Sequence, residues 1–386
     1  GTGYVLLAAL VGGGIWFTFQ TGFVQVRECG HGWNRVFGGL FKKDKSKEQE
    51  EGGISSFQAL TTAIAAQVGT GNLAGAATAI AAGGPGAIFW MWVSAFLGMA
   101  TIFCEATLAQ VYRTKGDDGQ ITGGPVYYIR AAFKGGFGKV LAGIFAVLIT
   151  LALGLVGSAV QANSITDAFH TAFFSHVGNI SLLGLEVPMD KLIVGIVLAI
   201  IAFLIFGGGI SRIGQITEKM VPIMACFYLL GGLIIVIMNI GNVPYMFASI
   251  IQGAFNPQAV CGGAFGVAMK EAVKKGVARG LFSNEAGMGS TPHAHAVAKV
   301  EHPAEQGLVA IFGVFATLIV VTFTGIVILV TGVLDLQSTG IALTQKAYDV
   351  VYHVARNARE AGVPYIYKKT DSALRGNVGS ELAAVM

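Results

Sequence analysis

Long apolar blocks alternate with short polar segments along this chain, and most of the blocks are long enough to cross a bilayer. A membrane-spanning helix needs about 20 predominantly apolar residues. A further apolar region at residues 258–298 is interrupted by glycines and does not define a single span. The uninterrupted blocks lie near residues 3–23, 57–82, 86–112, 138–168, 190–210, 215–240 and 307–334. The pattern predicts an all-α, polytopic membrane protein.

The composition supports this prediction. Of the 386 residues, 54% are hydrophobic and only 12% are charged, whereas soluble domains carry about 25% charged residues. The mean hydropathy is +0.67. A soluble protein of this length could not bury so much apolar surface, so we expect the lipid bilayer as a partner and no nucleic acid.

The basic residues predict an orientation, because cytoplasmic loops are enriched in Lys and Arg. Basic residues cluster between the first and second spans and between the third and fourth. The turn at 83–86 and the connections at 169–189 and 241–257 have none. This alternation predicts a multi-pass protein with its N-terminus outside. Lys270, Lys274, Lys275 and Arg279 do not follow the alternation, and 269–280 is interpreted as a short basic amphipathic helix.

The first segment with candidate chemistry interrupts the second span. Residues 67–75 read Gln-Val-Gly-Thr-Gly-Asn-Leu-Ala-Gly, with Thr70 between two glycines and Asn72 directly after them. Glycine is unfavourable in helix interiors and asparagine competes for backbone hydrogen bonds. We therefore expect the helix to unwind here, where free N–H groups can hold a carboxylate and free C=O groups a cation. A packing face from Gly71 to Gly75 is the alternative.

A second segment has the same chemistry. Residues 279–290 read Arg-Gly-Leu-Phe-Ser-Asn-Glu-Ala-Gly-Met-Gly-Ser, again in an interrupted apolar region. Two such breaks in corresponding positions indicate the central binding site of a transporter. Glu285 is an ionisable residue in or near the membrane and is therefore a functional candidate. A helix-breaking loop at the interface is the alternative.

Two further polar residues lie within predicted spans. Glu105 is near the inner end of its span, where it either takes part in transport, reaches the interface, or pairs with Arg113. Gln161 lies on a face with Gly154 and Gly157, where it binds either a substrate or a neighbouring helix.

The sequence gives little sign of an enzyme, a cofactor or a transition-metal site. The four cysteines are isolated from one another, and the His293-Ala-His295 pair lacks a Cys or carboxylate to complete a metal-binding set. No zinc-protease, nucleophile-elbow or phosphate-loop motif occurs. We expect no cofactor beyond a transported ion.

Four segments resemble the alanine-or-glycine:cation symporter family. They are Gly69-Thr-Gly-Asn-Leu-Ala-Gly75, Gly83-Gly-Pro-Gly-Ala-Ile-Phe-Trp-Met-Trp92, Thr122-Gly-Gly-Pro-Val-Tyr-Tyr-Ile129 and Gly280-Leu-Phe-Ser-Asn-Glu-Ala-Gly-Met-Gly-Ser290. The resemblance covers about residues 3–352. It implies a leucine-transporter-like fold of two inverted five-helix repeats, preceded by an extra helix. It also implies sodium-coupled symport of alanine, glycine or serine across a bacterial-type plasma (inner) membrane.

The resemblance also implies roles for individual residues. Thr70, Gly71 and Asn72 would contact the substrate carboxylate and the nearby sodium, with Gln161 in the same cavity. The residues that would shape the amino and side-chain end of the pocket are Phe282, Ser283, Asn284 and Met288. The candidates for coupling the cation are Gly69, Thr70, Glu285 and Glu105.

The hydrophobic pattern stops after Tyr352. We therefore expect a symporter domain at 1–352, truncated within its second repeat, and a foreign soluble tail at 353–386 joined near 352–354. Residues 354–386 resemble a fragment of the four-carbon acid sugar kinase family. Because helices of the family would be absent, a transport-inactive remnant or binding protein is the alternative function.

Overall fold

The computed structural model consists mainly of α-helices, with two short β-hairpins. It describes residues 2–41, 53–116, 120–174, 178–182, 185–255 and 265–331. The predicted join near 352–354 and the tail at 353–386 lie outside the described residues.

The first half of the chain builds helices α1 to α9. Their bounds are α1 Thr2–Gln20, α2 Val24–Arg27, α3 Cys29–Phe41, α4 Ser56–Gln67, α5 Thr70–Gly83, α6 Gly86–Val111, α7 Pro125–Ala132, α8 Gly136–Ile149 and α9 Ser158–Phe173. A π-helical segment, Thr150–Gly157, joins α8 to α9 without a break. Strands β1 (Thr114–Lys115) and β2 (Ile121–Thr122) form an antiparallel hairpin between α6 and α7.

The second half begins with another antiparallel hairpin, β3 (Asn179–Leu182) and β4 (Leu185–Pro188). A 3₁₀ turn at Ile240–Asn242 precedes the third of the helices that follow. The helices are α10 Met189–Phe206, α11 Gly209–Met238, α12 Val243–Phe255, α13 Phe265–Asn284, α14 Pro292–Ala296 and α15 Pro303–Val330.

Within the part of the chain that the structure describes, five helical segments are long and apolar enough to cross a membrane, and each coincides with a predicted span. They are Gly86–Val111, Gly136–Phe173, Met189–Phe206, Gly209–Met238 and Pro303–Val330. A shorter apolar helix, Val5–Gln20, matches the predicted first span. The protein is therefore a multi-pass membrane protein. The predicted span 57–82 is divided into α4 and α5, as expected from its glycines.

Two connections differ from the sequence-based expectation. The segment 241–257, predicted to be a loop, contains α12, whose Met246, Ile250 and Ala254 are buried. This four-residue spacing places one apolar stripe against the core, although the helix is too short for a membrane span. The region 258–298 resolves into α13, a non-helical turn and α14, with 256–264 outside the described residues.

The core forms around α6, which packs against α13 and α15. Small residues allow the close approach: a Cβ on Gly280 of α13 would lie 2.8 Å from the Ser94 Oγ of α6. By contrast, α8 to α11 expose large apolar side chains such as Phe203 and Phe227. In a bilayer those side chains face lipid.

Candidate functional site

The first helix break lies between α4 and α5. The helix stops at Gln67, and Val68 and Gly69 have extended backbone before α5 begins. The side chain of Asn72 caps the new helix, because its Oδ1 accepts a hydrogen bond from the Gly69 N–H at 3.0 Å. The predicted unwinding within 67–75 is confirmed.

The second break follows α13 at Asn284. Its backbone enters the left-handed region three times, at Glu285 (φ 54°), Gly287 (φ 83°) and Gly289 (φ 77°). This conformation suits glycine, and it is strained for Glu285. The Ser290 hydroxyl donates to Glu285 Oε2 at 2.5 Å, and the Ala286 N–H donates to Asn284 Oδ1 at 3.1 Å.

The two breaks contact each other directly. Asn72 Nδ2 donates to Ser283 Oγ at 2.7 Å, and Gln67 Nε2 donates to the Asn284 carbonyl at 3.0 Å. All four residues are buried. These hydrogen bonds join segments that are more than 200 residues apart in sequence. Because hydrogen bonds are directional, they fix the relative position of the two breaks more specifically than apolar packing alone would.

A third helix reaches the same place. Gln161 of α9 accepts a hydrogen bond from the Thr70 N–H through its Oε1 at 3.2 Å. The fit is tight, since a Cβ on Gly69 would lie 2.4 Å from Gln161 Nε2. Gly71 faces α13, where a Cβ would meet the Phe282 ring at 3.1 Å. Gly71 therefore both packs against α13 and lies beside the first break.

Glu105 contacts the second break and not Arg113. Its Oε2 accepts from the Gly287 N–H at 2.9 Å, whereas Arg113 Nη1 donates to the Ala298 carbonyl at 2.7 Å. The pairing of Glu105 with Arg113 considered from the sequence is wrong. Arg113 lies beyond the C-terminal end of α6, eight residues after Glu105. The amides of the left-handed turn are therefore the nearer partner for this carboxylate.

A cavity of about 920 Å³ adjoins the breaks. Phe282, Gly287 and Met288 line the part nearest to the breaks, and α1 and α8 supply much of the opposite wall. Phe282 is half exposed, while the neighbouring Ser283 and Asn284 are buried. The cavity therefore borders the apolar side of the break after α13. The polar contacts of the break, made by Ser283 and Asn284, lie behind that apolar surface.

Two buried polar atoms at the junction have no hydrogen-bond partner among the described residues. They are Gln67 Oε1 and Asn284 Nδ2, one acceptor and one donor. Buried polar atoms are nearly always paired, since an unpaired one costs about 1–3 kcal/mol. Gln67 Oε1 lies against Gly313 of α15, and Asn284 Nδ2 lies against Gly98 of α6.

The opposite end of α6 is held by a separate set of contacts, which we call the latch: residues 53–55 before α4 and 297–299 after α14. Ile54 and Ala298 form a parallel bridge. Gln110 of α6 donates to the carbonyls of His295 and Ala298. The latch therefore joins the segments before α4 and after α14 to each other at the C-terminal end of α6.

A buried polar chain supports the latch. Ser56 donates to Gln306 Oε1 at 2.5 Å, and Gln306 Nε2 lies 2.7 Å from His295 Nδ1. Both His295 and Gln306 are fully buried. His295 thus links α14 to α15 in this structure. Among the described residues, no three His, Cys, Asp or Glu side chains form a group that could hold a metal ion.

The structure brings most of the predicted site residues together. Those in contact across the breaks are Gly69, Thr70, Gly71, Asn72, Gln161, Phe282, Ser283 and Asn284. Met288 lines the cavity, and Glu105 and Glu285 border the second break rather than the first. The sequence interpretation missed Gln67 as a site residue, although a glutamine directly before a glycine-rich break is a usable signal.

Comparison with known proteins gives the family of the chain. The sodium:alanine symporter family matches residues 1–357. The sodium/alanine symporter AgcS of Methanococcus maripaludis is 42% identical over 355 residues, covering 90% of this chain and 73% of that protein. The amino-acid carrier protein AlsT of Bacillus subtilis is 42% identical over 343 residues, covering 89% of this chain and 67% of the carrier.

A further Bacillus subtilis relative has another substrate in its name. The probable sodium/glutamine symporter GlnT is 40% identical over 343 residues, covering 88% of this chain and 66% of that protein. None of these findings supports the resemblance of residues 354–386 to a sugar kinase, and the family match extends past the expected join to residue 357.

Proposed function

Because the chain belongs to the sodium:alanine symporter family, we propose that it couples sodium entry to the uptake of a small neutral amino acid such as alanine or glycine. Members of this family are amino-acid:cation symporters, which are transporters and not enzymes. Sodium is then a co-transported ion. The similarity to AgcS supports alanine in particular.

The direct contact between two broken helices carries this proposal. Asn72 joins the breaks through Ser283, and Gln67 joins them through the Asn284 carbonyl. In transporters, half-helix ends at mid-membrane present N–H groups to anionic substrate groups and C=O groups to cations. Carbonyl oxygens freed at the breaks would hold the sodium.

The roles of the residues follow from where they lie. Thr70, Gly71 and Asn72 begin α5, so the amino-acid carboxylate would lie beside them at the positive end of the helix dipole. Ser283 and Asn284 would hold the ammonium end. Phe282 and Met288 would bound the substrate side chain from the cavity side, and Gln161 would fix the Thr70 backbone.

The two carboxylates at the second break would couple to the cation in different ways. Glu105 accepts from the Gly287 amide and would hold the turn in its left-handed conformation. Glu285 lies within the turn and accepts from Ser290, so it is the candidate to respond directly to an ion. Gly69 and Thr70 would supply carbonyl oxygens from the first break.

The paired breaks favour the leucine-transporter-like arrangement. In that arrangement α1 is the extra helix, α4 and α5 form the broken first helix of one repeat, and α13 and α14 form that of the other. Broken helices that open each of two inverted repeats are typical of such transporters.

The closed latch and the cavity near the other half of α6 suggest one state of an alternating-access cycle. The latch adjoins the connections at residues 24–56 and 112–135, in which the basic residues of the first half of the chain are concentrated. An excess of basic residues marks the cytoplasmic side. We propose that the latch is the cytoplasmic gate, that the cavity opens outward, and that the protein lies in the plasma (inner) membrane with its N-terminus outside.

Uptake by proteoliposomes tests the proposal. The full chain, reconstituted at known orientation, should accumulate labelled alanine when an inward sodium gradient is imposed and should not do so in a matched potassium gradient. Uptake in both gradients would rule out sodium coupling. Binding of alanine without uptake under any gradient would favour the alternative of a binding protein.

Competition in the same assay tests the substrate class. Unlabelled glycine and serine should compete with alanine, because the Phe282 ring limits the space directly beside Gly71 at the start of α5. Leucine should not compete. Unlabelled glutamine is the deciding competitor. Competition by glutamine would indicate a substrate site like the one that the name of GlnT implies, and no competition would indicate a site for alanine-sized substrates.

A further inference from the structure

The side chain of His295 is a buried titratable group at the edge of the latch. It is fully buried, its backbone carbonyl accepts a hydrogen bond from Gln110, and its ring contacts Gln306 of α15. Ser56, the first residue of α4, donates to the same Gln306 amide group. One imidazole thus lies where α14, α15 and the start of α4 meet.

The contacts of the ring fit its neutral form. Gln306 Nε2 lies 2.7 Å from His295 Nδ1. In this orientation the amide nitrogen can only donate, so Nδ1 carries no proton. The ring proton is then on Nε2, which is buried and has no hydrogen-bond partner among the described residues. A second proton, on Nδ1, would set two donors against each other, so the closed latch disfavours the imidazolium.

In the part of the chain that the structure describes, no carboxylate is bonded to His295. Helices α4 and α6 and strand β2 pack against α14, and α15 contacts it through Gln306. Neither α4 nor β2 contains a titratable side chain. The titratable groups on or directly after the other elements are Cys104, Glu105, Tyr112, Arg113, His293, Lys299, Glu301, His302 and Glu305. Of the carboxylates, Glu105 accepts from a backbone amide of the second break, Glu305 pairs with an arginine, and Glu301 is exposed.

We propose that His295 is a proton-sensitive lock on the latch, which the neutral imidazole keeps closed and which a proton arriving from the cytoplasmic side opens. The proposal rests on the assignment of the latch as the cytoplasmic gate. In the closed latch an imidazolium would be buried without a counter-charge, which is a costly arrangement. Once residues 53–55 and 297–299 separate, water reaches the ring and stabilises the charge. A proton therefore binds the open latch more tightly and shifts the population toward it.

The direction of the pH dependence follows from the burial of the ring. Burial lowers the pKa of His295 to about 4 in the closed latch, because water no longer hydrates the charged ring. An exposed histidine has a pKa of about 6.5. Between these two values the open latch binds more protons than the closed latch. A fall in pH from about 7.5 to about 5.5 should therefore favour opening by about tenfold.

Thiol labelling of the latch measures its opening. In the full chain with the four native cysteines replaced by serine, Ile54→Cys places a thiol at a buried latch position. Its rate of labelling by a maleimide is divided, at each pH, by the rate for a chain that keeps only the exposed Cys29. This division removes the titration of the thiol itself, since the thiolate is the reactive form. The ratio should rise about tenfold from about pH 7.5 to about pH 5.5. The assay contains neither sodium nor amino acid, so it does not depend on symport.

Three variants assign the effect to the ring. In His295→Gln, which takes up no proton, the ratio should be the same at both pH values. Gln306→Glu keeps His295 and adds a carboxylate beside Nδ1, which stabilises the imidazolium in the closed latch, so the rise at low pH should be lost. His293→Gln is the matched control, because it removes an exposed histidine from the same helix, and it should keep the tenfold rise.

A ratio that does not change with pH in the chain with His295 intact would overturn the proposal, whether or not His295→Gln folds. A rise of equal size in folded His295→Gln or Gln306→Glu would also overturn it. Failure of the lock is distinguishable from failure of the proposed function. A pH-dependent ratio without sodium-driven alanine uptake would support the lock and contradict symport, whereas uptake with an unchanged ratio would support symport and contradict the lock.

Discussion

At the residue scale, the first break depends on the absence of a side chain at Gly69. Its φ is −152°, which any residue can adopt, so conformational freedom is not the reason for glycine here. The reason is space, because a Cβ would lie 2.4 Å from Gln161 Nε2. Gln161 would have to move and would release the Thr70 N–H.

Gly69→Ala should therefore reduce sodium-driven alanine uptake by about fivefold or more, the equivalent of one lost hydrogen bond of about 1 kcal/mol. The double variant Gly69→Ala/Gln161→Ala should not be much worse than Gln161→Ala alone, because both remove the same contact. Gly143→Ala is the control, since nothing lies within 4 Å of a Cβ there. Additive losses in the double variant would contradict this explanation.

Sequence reasoning at this scale found the residue types but not all of their partners. Glycine and asparagine in an apolar run predicted both breaks, because their effect on a helix is local. The contact of Glu105 with the Gly287 amide and the bond from Gln67 to the Asn284 carbonyl depend on how distant helices pack. No pattern within one segment encodes such a contact.

At the element scale, the latch joins two segments that lie next to broken helices. Ile54 and Ala298 are both buried and are bridged as neighbouring strands, and Gln110 fixes the second segment by bonds to its carbonyls. If alternating access operates as proposed, these segments must separate in each cycle.

A cross-link across the latch should stop transport reversibly. In a background with the four native cysteines replaced by serine, Ile54→Cys/Ala298→Cys places two thiols on adjacent strands. Neighbouring strands lie about 4.8 Å apart, within the range a disulfide spans. Oxidation should abolish alanine uptake, and a reductant should restore it.

Each single-cysteine variant serves as the control and should transport equally before and after oxidation. Full transport by the cross-linked protein, with the disulfide verified by mass spectrometry, would mean that the latch does not open during the cycle.

Element boundaries were predictable where apolar length decides them and not where packing decides them. The spans near 86–112 and 307–334 correspond to Gly86–Val111 and Pro303–Val330, because a bilayer imposes its thickness on the sequence. Helix α12 was missed since its 13 residues are too few to cross a membrane. It forms because one face packs on the core.

At the scale of the whole molecule, one central helix relates the proposed substrate site to the proposed gate. Gly276 of α13 lies against Ala87 near the start of α6, and Gln110 binds the latch near its end. A helix of this length, 26 residues, spans about 39 Å. The cavity reaches Gly287, which bonds to Glu105 five residues before Gln110 on α6. The broken helices connect the cavity and the latch, so a change at the breaks has a direct structural route to the latch.

The central claim is that the joined breaks bind sodium and the amino acid together. Isothermal titration of the purified full chain with alanine, in sodium and in choline buffer, tests it most directly. If both ligands stabilise the same state, sodium should increase alanine affinity by about tenfold or more, and alanine should increase sodium affinity by the same factor. Asn72→Ala should lose this coupling, whereas Asn163→Ala, an exposed asparagine on α9, should keep it. Unchanged sodium-dependent alanine binding in folded Asn72→Ala would contradict the account.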